Sequence, residues 1–149
     1  GVVVSAGAGN DGDLVALDAA GKLDPSVMPA GVGVNTVSGT ASEALAANDL
    51  VNIHAGGVRK ADATTEGKEA HGFVKASVAS SGTATIYLPG DVITGLTGLT
   101  QGARYFLATT AGLTTATVPS TAGNVGQMIG IAASTTSILF EPEEPVTRN

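Results

Sequence analysis

Short apolar runs alternate with turn residues along most of this chain, and within the runs the period is close to two. Residues 34–38 and 49–54 place apolar side chains near every second position, the pattern of strands with one buried face. Ala55-Gly56-Gly57 separates 49–54 from Val58-Arg59-Lys60, which predicts a hairpin turning on the glycine pair. Residues 72–78 and 83–88 flank Ala79-Ser80-Ser81-Gly82, a second hairpin candidate. Pro89-Gly90-Asp91 predicts a turn, and 104–108 a strand whose Tyr105 and Phe106 point to opposite faces. Strands over 113–118, 125–133 and 137–141 follow, with a loop at 119–123. Helix is expected only as a single turn within 42–47, and residues 62–69 read as a polar loop. About eight or nine short strands with a turn every ~8–12 residues suit an antiparallel β-sandwich or small barrel, jelly-roll-like. The fold class expected is mostly β.

Residues 1–33 break this pattern. Gly7-Ala8-Gly9-Asn10-Asp11-Gly12-Asp13 resists regular structure, and Asp24-Pro25 and Met28-Pro29 hold the residue before each proline extended. We read 1–33 as an extended N-terminal arm, 34–142 as the β domain and 143–149 as an acidic, flexible tail. Leu14, Val15, Leu17, Leu23, Val27 and Met28 are the arm's apolar anchors. They need a surface outside the arm to bury them, either along their own domain or on a neighbouring protein.

Composition narrows the function classes. Apolar residues make up 43% of the chain but aromatics only 3%, so the core is built of small aliphatic side chains and sugar stacking has little to work with. A net charge of −6 with seven scattered basic residues argues against nucleic acid, which draws affinity from clustered Lys and Arg. No apolar run approaches the ~20 residues that span a bilayer, so no membrane partner is expected. Without cysteine there is no thiol nucleophile, disulfide framework or thiolate metal site.

Catalytic chemistry is sparse. His54 and His71 are the only histidines, and neither has the His-x-His or His-x₃-His spacing of a zinc site. Lone histidines beside strands more often serve structure than catalysis. Asn10-Asp11-Gly12-Asp13 lacks the Glu that completes a calcium loop. Residues 7–12 match G-x-G-x-x-G, but Asp11 and Asp13 put negative charge in the would-be phosphate cradle, and Pro25 and Pro29 interrupt the helix it needs. Asp91 and Glu141 are available acids that nothing in the sequence brings together. We therefore expect no enzyme, no cofactor and no metal.

The stretch Asp13-Leu14-Val15-Ala16-Leu17-Asp18-Ala19-Ala20-Gly21-Lys22-Leu23-Asp24-Pro25-Ser26-Val27-Met28-Pro29-Ala30-Gly31-Val32-Gly33 resembles the N-terminal segment of capsid cement, or decoration, proteins of tailed bacteriophages. The likeness continues through Asp49-Leu50-Val51-Asn52-Ile53, Arg59-Lys60-Ala61-Asp62-Ala63, Gly72-Phe73-Val74, Gly102-Ala103-Arg104-Tyr105-Phe106-Leu107 and Gly126-Gln127-Met128-Ile129-Gly130-Ile131-Ala132. The resemblance implies a structural virion protein on the exterior of the phage head. Its partners would be the major capsid protein and further copies of itself, as a homodimer or homotrimer, bridging neighbouring coat subunits. Leu14, Val15, Leu17, Leu23, Val27 and Met28 would then form the capsid-contact arm. Tail-fibre and head-fibre modules share the GxxYFL and GxxIGxA style of strand, so a receptor-binding or fibre module is the alternative. Such a module would normally expose aromatic or polar binding loops, and this chain has few aromatics to expose.

Overall fold

The computed structural model describes residues 16, 17, 19, 21–23 and 35–149. The chain divides into two units, Gly1–Val34 and Asn35–Asn149. Among the described residues there is no helix. The second unit holds twelve strands: β1 (Thr36–Thr40), β2 (Leu50–His54), β3 (Gly57–Lys60), β4 (Gly72–Phe73), β5 (Thr83–Tyr87), β6 (Val92–Ile93), β7 (Arg104–Leu107), β8 (Thr114–Thr115), β9 (Val125–Gly126), β10 (Met128–Ala132), β11 (Ile138–Phe140) and β12 (Val146–Thr147). Every pairing between these strands is antiparallel. The mostly-β sandwich expected from the alternation is the fold observed.

Two five-stranded sheets face each other, ordered β1-β5-β4-β2-β3 and β6-β11-β10-β7-β8, while β12 and β9 make a separate two-stranded ladder. Each large sheet is built from its own half of the chain. Strands do not interleave between the sheets, and here the structure departs from the jelly-roll-like detail of the expectation. The first sheet also curls on itself. Ser42 donates its N–H to the Val58 carbonyl at 2.8 Å, and Ala41 bridges Val58 in parallel, so the end of β1 meets β3. Gly39 makes this approach possible, because a Cβ there would lie 2.5 Å from Val58 Cγ2. The curl encloses Ala41, Leu45, Val51, Val58, Val74, Ala84 and Ile86.

The main core lies between the sheets. Leu50 and Phe73 from the first meet Ile93, Leu107, Ile129 and Phe140 from the second, and the Phe73 and Phe140 rings pack edge-on at 5.2 Å. Ala61, Ala63 and Ala70 complete this core from the 61–70 connection. Only its outer turn is a polar loop. Ala63 donates its N–H to Ala108 O at 2.9 Å and accepts from Val125 N–H at 2.9 Å, which ties the connection to the end of β7 and to β9.

Three local expectations change. The 42–47 segment forms no helical turn, because Leu45 exchanges both backbone hydrogen bonds with Val78 instead. That same exchange draws 75–78 away from β5, so the predicted 72–88 hairpin reduces to the single pair Phe73–Tyr87, and β5 pairs along its length with β1. The 143–149 tail is not free. Glu143 N–H reaches Met128 O at 2.9 Å, and β12 pairs with β9 through Val146 with Gly126 and Thr147 with Val125. The Gly56-Gly57 hairpin forms as expected, with His54 opposite Gly57.

Candidate functional site

Of the six arm anchors, Leu14, Val15, Val27 and Met28 lie outside the described residues. Leu17 and Leu23 are exposed, at 57% and 47%.

The β body offers a surface that the sequence reading missed. Cross-strand register places Val92, Leu139, Ile131 and Arg104 side by side across β6, β11, β10 and β7 on the outer face of the second sheet. Leu139 and Ile131 are each 40% exposed, although directly opposed aliphatic side chains are normally covered. Phe106 and Met128, the next pair on the same face, are half-buried.

A bulge builds this face. The β10–β7 register shifts between Met128 and Gly130, so Ile129 and Gly130 both turn inward while Met128 and Ile131 both turn outward. Simple alternation would have put Met128 and Ile131 on opposite faces, which is why the row was not legible in the sequence. Gly130 permits the bulge, since a Cβ there would lie 1.8 Å from the Leu139 carbonyl oxygen.

Charge frames the row unevenly. Arg104 sits exposed at one end, and Glu141, Glu143 and Glu144 are exposed along the chain leaving β11. Most other basic side chains are committed internally: Lys60 to Asp49 at 3.4 Å, Lys68 to Asp62 at 3.1 Å, and Lys75 to Asp91 at 2.7 Å. Arg59 donates to Asn52 Oδ1 and to Gly67 O, fixing the 62–69 loop. Burial pushes the Asp62 carboxyl up, but hydrogen bonds from the Thr64 hydroxyl and N–H, and the Lys68 ammonium, bring it below its usual range. Asp91 follows the same balance, with Lys75 and the Val92 N–H outweighing burial.

The two histidines hold backbone. His71 Nδ1 accepts the Ile53 N–H at 3.0 Å, continuing the β2 ladder where β4 ends. His54 Nδ1 accepts the Gly56 N–H at 3.1 Å, and its Nε2 lies 3.3 Å from Ser42 Oγ. An imidazole whose Nδ1 accepts must carry its proton on Nε2, so His54 donates to Ser42 and cannot take a proton from it. Ser42 in turn donates to Val58 O at 3.1 Å. The pair has the wrong polarity to activate a nucleophile.

Concavities lie elsewhere. A groove of about 520 Å³ runs between 93–99 and 112–116, with Leu96, Leu99, Tyr105 and Leu113 among lining residues that carry no charge. A hollow of about 400 Å³ gathers His71 with Glu69, Glu143 and Glu144. Among the described residues, no group of three or more His, Cys, Asp or Glu is placed to hold a metal ion. Comparisons with protein-family models, with curated proteins and with solved structures returned no match for this chain.

Proposed function

We propose that this protein is a structural component of a phage particle that binds the outer surface of the capsid and stabilises it by bridging neighbouring coat subunits. The reading begins from the sequence resemblance to cement proteins. The observation that supports it best is the outward row of half-buried Val92 with exposed Leu139 and Ile131, carried on a sheet and turned outward by a bulge. Such a row is suited to burial against another protein. Leu139 and Ile131 each keep only 40% of their surface exposed, so each gains about 1 kcal/mol on full burial, enough for several modest contacts to hold a shell when repeated over many copies. Anything that binds only the assembled shell shifts the equilibrium toward it.

The alternative is a fibre module, which the uncharged 93–99/112–116 groove would serve as a receptor pocket. One experiment separates the two. Heads stripped of this protein should release DNA at lower temperature, and adding purified protein back should restore them. Equal survival of coated and uncoated heads, together with specific binding to host cells, overturns the cement reading in favour of the fibre.

A further inference from the structure

We infer that β1 is a self-pairing edge: two copies of the chain join their first sheets antiparallel through Thr36, Val37 and Ser38, across a two-fold axis at Val37. Backbone phase leads to this. Asn35 O accepts the Leu88 N–H, Ala41 N–H reaches Gly82 O, and Ser81 N–H reaches Ala41 O, so the odd-numbered residues of this segment face β5. In an antiparallel ladder the intervening residues face the other way. The N–H and C=O groups of Thr36 and Ser38 therefore point outward, and no described residue pairs with them. Both residues are exposed.

The other sheet edges are closed or guarded. Along β3, Lys60 N–H is taken by Glu43 Oε1 at 2.9 Å, Val58 O by Ser42, and Arg59 and Lys60 add charge. Edges β6 and β8 are two residues long, and β12 follows Pro145 directly. By contrast β1, Thr-Val-Ser-Gly-Thr, has five residues without charge, proline or bulge. Sheet edges left in this state invite another strand.

The free groups also select the occupant and its register. With the axis at Val37, Thr36 faces Ser38 of the second copy and Ser38 faces its Thr36, so every outward group of both residues is satisfied in four backbone hydrogen bonds. The same register sets the two Val37 residues opposite each other as the close, non-hydrogen-bonded pair, with Cα atoms about 4.5 Å apart. Val37 is 40% exposed, and the second copy would cover it. A register centred on Ser38 would instead need the Thr40 end of the strand, where the chain turns to meet β3. No charged side chain lies on β1 to oppose self-pairing. Three residues per copy cover far less than the ~800 Å² per partner of a standard stable interface, so the dimer is weak in dilute solution.

The absence of native cysteine makes a direct test possible. Val37→Cys should form a reductant-sensitive disulfide dimer under mild oxidation of the full chain, about tenfold faster than Thr36→Cys, Ser38→Cys or Thr85→Cys. In the inferred register, copies of residue 36 or of residue 38 stand about 8–9 Å apart, beyond the ~7 Å that a disulfide spans. Sedimentation equilibrium of the wild type should show mass rising toward the dimer as concentration increases. Thr36→Pro removes an outward donor at a strand's first position, where proline is tolerated, and should abolish the rise with the circular dichroism spectrum unchanged. Equal disulfide rates at the four positions, or fastest coupling at residue 38, overturns the inference. So does a wild type that stays monomeric up to about 1 mM, a range in which even weak pairing registers. These measurements use no phage heads, so they succeed or fail independently of the capsid reading.

Discussion

The side-chain amide of Gln127 forms both halves of a β-bridge with the backbone of Ala70: Oε1 accepts the Ala70 N–H at 2.8 Å and Nε2 donates to the Ala70 carbonyl at 3.0 Å. Gln127 is 4% exposed, and the residues it joins are 57 positions apart. One side chain thus fastens the end of the 61–70 connection to the junction of β9 and β10. Gln127→Leu keeps the volume but leaves two buried backbone groups unpartnered, each costing about 1–3 kcal/mol. The expected loss is about 2–6 kcal/mol, read as a lower urea midpoint with an unchanged slope. A loss below about 0.5 kcal/mol would mean that water replaces the amide without penalty.

Gly130 should tolerate nothing larger. Its missing Cβ makes room for the Leu139 carbonyl, which is backbone and cannot rotate aside. Gly130→Ala should cost at least ~1–3 kcal/mol by overpacking, and it should also disturb the bulge that turns Ile131 outward. Thermal unfolding measures the first effect. Proteolytic sensitivity of 128–132 measures the second.

What the sequence made legible was local. The Gly56-Gly57 hairpin and the opposite burial of Tyr105 and Phe106 follow from turn chemistry and from the two-residue period. What it did not reveal was long-range choice of partner. Alternation says which face of 83–88 is apolar, but it does not say that β5 pairs with β1, some 45 residues earlier, in preference to β4. Nor do Gln127 and His71 announce themselves, because a polar residue in or beside a strand looks like any outward-facing position until the backbone group it satisfies is in view. The outer row was hidden for a related reason: one inserted residue inverts the alternation from Gly130 onward.

The two depressed carboxyls give stability a defined acid limit. Asp62 and Asp91 are held below the ordinary aspartate value, so each stabilises the fold at a pH above that value, and the contribution is lost as pH falls through the folded-state values. Stability should be level above about pH 5 and should decline below about pH 4. Lys75 and Lys68 are partly exposed, so each pair contributes less than about 1 kcal/mol. Urea midpoints from pH 7 to pH 3 test this, and Asp91→Asn should flatten part of the acid limb. An unchanged limb in that variant would place the loss elsewhere.

If the outer row is the body's contact surface, charge placed there should cost attachment and spare the fold. Ile131→Glu and Leu139→Glu introduce carboxylates at positions already 40% exposed, so folding stability should move by no more than about 1 kcal/mol. Binding to depleted heads should fall at least about tenfold for either variant, because a charge buried at an interface without a partner costs more than the aliphatic contact it replaces. Wild-type affinity in both variants would remove the row from the contact.

The arm makes a separable contribution. Every strand and core cluster among the described residues lies within 35–149. Deleting 1–33 should therefore leave the β spectrum and the unfolding midpoint of the body close to those of the full chain. Leu17 and Leu23 are 57% and 47% exposed, so burying what remains of each on a partner stabilises a complex by about 1 kcal/mol per side chain. Part of that gain is spent on ordering the segment, at roughly 1–2 kcal/mol per residue fixed, so the net effect depends on how few residues the contact immobilises. We expect the truncated chain to bind depleted heads at least about tenfold more weakly, and Leu17→Ser with Leu23→Ser to reproduce part of that loss in the intact chain. A truncated protein that coats heads as tightly as the full chain would show that the β body alone carries the affinity, leaving the outer row of the second sheet as the anchor.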